Sequence, residues 1–199
     1  MTTGYVQRFK GKFVSAADSV MAFGKGGITF KLGGNVNQQV SCAGINPGAT
    51  AADNVLAFFS IPPICFDAAN RGVLIEAGGS FGSTANNKRL KIIFNPATAV
   101  VGSTVGASGV TICDTGTVAT NGGGWSMAAQ VIKYGGLASN TQIGIHTQAQ
   151  IGNAVAALLA PSLITATESG AILVAVTGNA STATTDIVFN WLAVSAFNN

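Results

Sequence analysis

The sequence predicts an all-β chain folded as a two-sheet antiparallel β-sandwich. Turn residues punctuate it throughout, and the segments between them are short and rich in Val, Ile, Phe and Thr, the composition of strands. Two segments, residues 125–132 and 142–151, alternate with period two, the spacing that puts successive side chains on opposite faces of a sheet. No long stretch repeats with the 3.6-residue period of an amphipathic helix.

Taken in order, residues 55–66 (VLAFFSIPPICF) read as a strand stopped by Pro62 and Pro63, since proline donates nothing to a ladder. Residues 72–81 form a second, almost wholly apolar strand. Residues 88–94 form a third, in which Leu90, Ile92 and Phe94 share one face while Arg89 and Lys91 turn to water. Residues 100–111, rich in Gly, Ser and Thr, carry little structure of their own. In the next strand Trp125, Met127, Ala129 and Val131 mark the dry face. In the one after it Ile143, Ile145, Thr147, Ala149 and Ile151 do so, with Gln142, Gly144, His146, Gln148 and Gln150 on the wet side. Gly135, Gly136, Ser139 and Asn140 between them predict a long hairpin. Residues 158–166, 171–177 and 187–197 complete the set, the last two joined by a small polar loop. Residues 153–159 (NAVAALL) also suit a short helix. About eight strands at this spacing close as a sandwich of the jelly-roll-like kind.

Residues 1–45 stand apart from the sandwich domain expected at 46–199. They hold five of the ten basic residues, Arg8, Lys10, Lys12, Lys25 and Lys31, against one acidic residue, Asp18, so this stretch carries +4 and the rest −1. The alternating pieces YVQRFKGKFV and GGITFKLGG fit a basic N-terminal arm plus an extra hairpin, adding strands to a sheet in this chain or a neighbour. Ordinary edge strands guarded by lysines are the equal alternative. The five cations are the expected partner-binding residues.

Only 9% of the 199 residues are charged, against about 25% in an ordinary domain, while 48% are hydrophobic. The surface must then be built from Thr, Ser, Asn, Gln, Gly and Ala, and a net charge of +3 supplies little repulsion between copies. Such a chain is expected to spend its life against protein partners. A mean hydropathy of +0.44 raises membrane insertion. Yet the longest apolar run, residues 154–164, is broken by Pro161 and falls short of the ~20 residues that a spanning helix needs. Neither a spanning helix nor a secretory signal is expected. Cys42, Cys65 and Cys113 form no C-x-x-C and have one histidine to help them, so they are read as small buried hydrophobes.

Acid–base or nucleophilic chemistry needs paired titratable groups, and the chain holds two glutamates, five aspartates and one histidine. Glu76, in VLIEAGG, is either a buried carboxylate or, the favoured reading, an outward one beside Arg71 or Lys88. His146, on the wet side of its strand, is expected to be solvated or at an interface. A triad built on it would need a serine on a strained elbow. Gly24-Lys25-Gly26-Gly27 lacks the spacing and the following helix of a phosphate-binding loop. Asp53, Asp67, Asp114 and Asp186 stand singly and suit turns better than a calcium site. Asn179-Ala180-Ser181 matches the glycosylation triplet, which carries no weight without an export signal. Tyr5, Phe9 and Phe13 interleave with basic residues as in nucleic-acid binding, but a half-buried strand alternates in the same way. No catalytic residue, cofactor, metal or small-molecule substrate is expected. An enzyme would have to use Glu76 and Asp67.

Three stretches carry a family resemblance. GGSFGSTANNKRLKIIFN resembles a strand-loop-strand with an Ala-Asn-Asn-Lys turn, and DTGTVATNGGGWSMAAQVIKYG a Gly/Asn loop feeding a strand that opens with tryptophan. ILVAVTGNASTATTDIVFNWLAVSAFN resembles a closing strand pair. Over residues 72–197 the chain is thus similar to small structural proteins of tailed-bacteriophage virions. The resemblance implies a jelly-roll-like sandwich that decorates or cements a capsid, commonly as a homotrimer. Its implied partners are the major capsid protein and its own copies, in a virion assembled in the host cytoplasm. Arg8, Lys10 and Lys12 would make first contact with an acidic capsid exterior. The alternative is a tail-fibre or receptor-binding tip, which would display aromatics. Trp125 and Tyr134 are the candidates, although both are in register for core packing. Nucleic acid and membrane are not expected partners.

Overall fold

A computed structural model describes residues 52–180 and 186–197, apart from the side chains of Ile64 and Phe197, and the backbone of three strands further upstream. Among the described residues the regular structure is β-strand plus one 3-10 turn. Numbered in chain order, the first strands are β1 (Asp18–Gly24), β2 (Gly27–Gly33), β3 (Val40–Ser41) and β4 (Asn54–Ile61). Next come β5 (Gly72–Phe81), β6 (Asn87–Phe94), β7 (Val110–Asp114), β8 (Val118–Ala119) and β9 (Gly124–Lys133). The last are β10 (Gln142–Ile151), β11 (Ala154–Val155), β12 (Ser162–Ile164), β13 (Ile172–Ala180) and β14 (Ile187–Phe197). Eight of those between Asn54 and Phe197 have five residues or more.

They divide into two antiparallel sheets packed face to face, the sandwich that the alternation predicts. The smaller sheet runs β4-β13-β6-β7, with β8 beside β6. The larger runs β1-β2-β14-β5-β9-β10, and β11 and β12 both pair with the outer edge of β10. The first two long strands meet the last two, β4 with β13 in one sheet and β5 with β14 in the other. The hairpin of β1 and β2 extends the larger sheet through β14, where Lys31 stands opposite Ala193.

Period-two patterning fills the space between the sheets. Val73, Ile75, Ala77, Met127, Ala129, Val131, Leu192 and Val194 point in from the larger sheet and meet Leu56, Leu90, Ile92, Phe94, Val174 and Val176 from the smaller. Burying each large member stabilises the fold by about 1.5–3 kcal/mol relative to leaving it in water. Pro62 and Pro63 stop β4 as expected and lead into a 3-10 turn, Pro63–Phe66, whose Phe66 meets Phe94 edge to face at 5.9 Å between ring centres. Glycine is required at Gly79: a Cβ there would lie 2.0 Å from the Val188 carbonyl oxygen, the atom to which the Trp125 indole N–H donates.

Some expectations change. Residues 153–159 form no helix, and the strand expected over 158–166 shrinks to β12; both pieces instead pair along β10. Residues 95–106 are a tied loop that covers the outer face of the smaller sheet. Gly102 N–H donates to the Val55 carbonyl, Val105 N–H to Asp53 and Gly106 N–H to Thr98. Beneath it Val55, Ala99 and Ala175 make a second small apolar cluster.

Candidate interaction face and buried polar clusters

The β9–β10 hairpin forms in the expected place, but the alternation of β10 does not continue through it. His146 stands opposite Ala129 and Gln148 opposite Ala128, so Thr147 is an extra residue in a β-bulge. A bulge of one residue reverses the faces. After it Ala149 and Ile151 point inwards as expected; before it the buried residues are Gln142, Gly144 and His146, and Ile143 and Ile145 lie on the outer face. The reading of Gln142 and His146 as wet-side residues is therefore corrected.

That reversal builds the outer face of the larger sheet. Register sets Leu163, Ile143 and Ile132 in one row across β12, β10 and β9, and Ile145, Gln130, Leu74 and Ser195 in the next. A third row holds Gln148, Ala128, Glu76 and Ala193, and a fourth Val155, Gln150, Ser126, Gly78 and Trp191. Leu163 is 72% and Trp191 45% exposed. Ring atoms of Trp191 lie where a Gly78 Cβ would point, within 2.5–2.8 Å, so the indole rests on bare backbone. Across these four rows Glu76 is the one ionisable residue whose side chain is described, and the backbone register of β2 sets Lys31 next to Ala193 at the end of the third row. Glu76 points outwards and is half-buried, as the favoured reading had it, but not beside Arg71 or Lys88. Arg71 pairs with Asp67, and Lys88 is turned inwards.

Among the described residues the other charged side chains belong to the smaller sheet, the interior or the Asp67–Arg71 turn, and they are engaged. Arg89 and Lys91 leave the outer face of β6 to pair with Asp114 and Asp53. Burial pushes the Asp114 carboxyl up, but the Arg89 guanidinium and the Gly116 N–H outweigh it and hold it below the ordinary carboxylate value. The hydrogen bond to Asp114 in turn raises Arg89. Thr84 and Asn86 donate to the buried Asp186. The four aspartates are thus mostly ion-pair members rather than plain turn residues.

Two lysines are almost fully buried. Lys88 Nζ donates to the carbonyls of Thr84 (2.7 Å), Thr120 (2.8 Å) and Asn86 (3.1 Å), and lies 5.8 Å from the centre of the Phe81 ring. Lys133 pairs with Glu168, which also accepts from the Gln142 amide; Gln142 bonds both the N–H and the carbonyl of Ala166, and Asn140 accepts the Glu168 N–H. Such buried charges survive only when their bonds are met. Parity could have found both lysines: Lys88 shares its face with Leu90 and Lys133 with Val131. Glu168 left no local signal, because its partners lie 26 and 35 residues away.

His146 Nδ1 accepts the Leu159 N–H at 2.9 Å, and its Nε2 is buried with no partner among the described residues. Burial pushes the imidazole below its ordinary value, although Asp114 and the Gln148 backbone act the other way. Cys65 and Cys113 are free buried thiols, pushed up by burial to about 11 and about 12, as inert core residues are. The pentapeptide Gly78-Gly79-Ser80-Phe81-Gly82 has the G-x-S-x-G spacing of a nucleophile elbow. Ser80, however, is held in the ladder between Val188 and Gly124, far along the hairpin from His146 opposite Ala129.

Trp125 is a core residue, but Tyr134 is 52% exposed, against the expectation of core packing. Of the predicted partner-binding residues, Arg8, Lys10, Lys12 and Lys25 lie outside the described residues, as does Cys42; Lys31 is placed by its backbone alone. Among the described residues no His/Cys/Asp/Glu cluster could hold a metal ion, and no helix is long and apolar enough to cross a membrane. No protein-family model, curated protein sequence or solved structure matches this chain.

Proposed function

We propose that this chain is a non-enzymatic structural subunit of a virion, a decoration or cement protein of a tailed-phage capsid. It works by burying the outer face of its larger sheet against the major capsid protein and its own copies. The observation that carries this reading is the four-row face itself: mostly apolar and neutral-polar, with Glu76 in one row and Lys31 at the end of that row by backbone register. Depletion of charge is the compositional mark of an interface core. Specific contacts usually bury about 1,200 Å² or more, and many modest ones add through multivalency. The non-enzymatic part is supported by Asp67, which is tied to Arg71, and by Glu76, which lies on the opposite side of the sheet from His146. Arg8, Lys10, Lys12, Lys25 and Lys31 steer docking on an acidic shell. Gel densitometry of purified particles tests the reading. A copy number near that of the major shell subunit supports it, and absence from particles overturns it.

A second reading, a tail-fibre or receptor-binding tip, is favoured by the exposed Trp191 and Tyr134. A few copies per particle would select it.

A further inference from the structure

We propose that His146 is an acid-sensitive latch: neutral, it clamps the middle of the apolar segment 153–163 to the edge of the larger sheet, and its protonation lets that middle go while the ends stay paired. The segment is anchored at its ends, by β11 on Gln150 and Ile151 with the Ala156 N–H on the Ala149 carbonyl (2.8 Å), and by β12 on Gln142–Gly144. Between those ends it is exposed, with Leu158 at 62%. The hydrogen bond tying this stretch to the sheet, among the described residues, is the Leu159 N–H to His146 Nδ1 at 2.9 Å.

A nitrogen that accepts a backbone N–H carries no proton, so the neutral ring holds its proton on Nε2. Protonating Nδ1 would set two donors against each other, while the buried Nε2 has no hydrogen-bond partner among the described residues, so Asp114 and the Gln148 backbone offset only part of the cost of the charged ring. The bulge at Thr147 creates this arrangement by turning His146 inwards, beneath the segment that crosses the edge. The charged groups facing it come from β6 and β7. Asp114 favours the protonated ring but is already committed to Arg89 and the Gly116 N–H. Cys113, also on β7, donates its S–H to the Gln148 carbonyl and is a neutral thiol. On the other side β9 presents Ala129, and the segment itself carries no ionisable residue.

The direction follows from linkage. A free histidine titrates near 6.5, and burial lowers His146 below that. The neutral, latched state is fully favoured above about pH 6.5 and loses ground as the pH falls through that value towards the lowered one.

Amide exchange of the intact chain, resolved by NMR between pH 7.5 and 5 and corrected for intrinsic rates, tests it. The Leu159 amide is expected to lose roughly tenfold in protection on acidification, the worth of one hydrogen bond, while the Ala156 amide does not. His146→Asn, whose side-chain oxygen can accept at any pH, should keep Leu159 protected and abolish the pH dependence. Equal protection of Leu159 at both pH values, or the same acid loss in His146→Asn, overturns the latch. So does an Nδ1–H tautomer in the neutral wild-type spectrum.

Discussion

The two sheets treat their outer faces in opposite ways. On the smaller one, Arg89 and Lys91 are matched to Asp114 and Asp53, and residues 95–106 fold back over Val55 and Ala175. The larger one has no comparable cover among the described residues and presents Ile132, Ile143, Ile145, Leu74 and Trp191 around Glu76, with Lys31 two strands away in the same row by backbone register. A chain with seven acidic and ten basic residues has few charges to place. Most of those described in the sandwich pair with one another or tie down its loops, and the outer face of the open sheet holds few.

The claim that the scarce charges are structural faces its largest test at Glu168. Glu168→Ala strands Lys133 without a counter-charge, and chemical denaturation should show a loss of about 3–5 kcal/mol. Replacing both partners with apolar residues should recover much of it. On the open sheet, Ala128→Arg puts a cation in the middle row beside Glu76. It should leave the thermal midpoint nearly unchanged yet weaken self-association or particle binding by about a hundredfold in sedimentation or co-purification, since a misplaced interface charge costs several kcal/mol. If association survives, the contact face lies elsewhere.

Asp114→Asn sharpens the contrast from the other sheet. The pair is partly exposed, so the loss at neutral pH should be about 1 kcal/mol and reduced by salt. Because the folded-state value of Asp114 is lowered, its contribution is present above the ordinary carboxylate value near 3.9 and fades as the pH falls through the lowered one. Denaturation at a series of pH values should show that acid loss in the wild type and a shallower one in the variant. The smallest effect is at the β9–β10 turn, where Ala138 adopts φ 58°. Ala138→Gly should stabilise by about 0.5 kcal/mol, read as a small rise in the midpoint.

How much was legible varies along the chain. Trp125 to Val131 could be read correctly because strict alternation over an uninterrupted strand leaves one solution for the buried face. The same logic failed on β10, whose pattern is as clean, because one extra residue at Thr147 reverses the parity and nothing local marks it. Strand parity also contained Lys88 and Lys133, but a lysine on a dry face is discounted until its acceptors are known. Those acceptors, Thr120 for one and Glu168 for the other, come from 32 and 35 residues away.

By itself, then, the sequence determined that this chain is all-β, sandwiched and poor in charge, since these follow from short-range periodicity, turn residues and composition. Only the tertiary structure decided which face of β10 is dry, where the charges are matched and which sheet stays open. Those outcomes depend on register and on partners distant in the chain, and the free energy of a bulge or a buried ion pair is set where the strands meet.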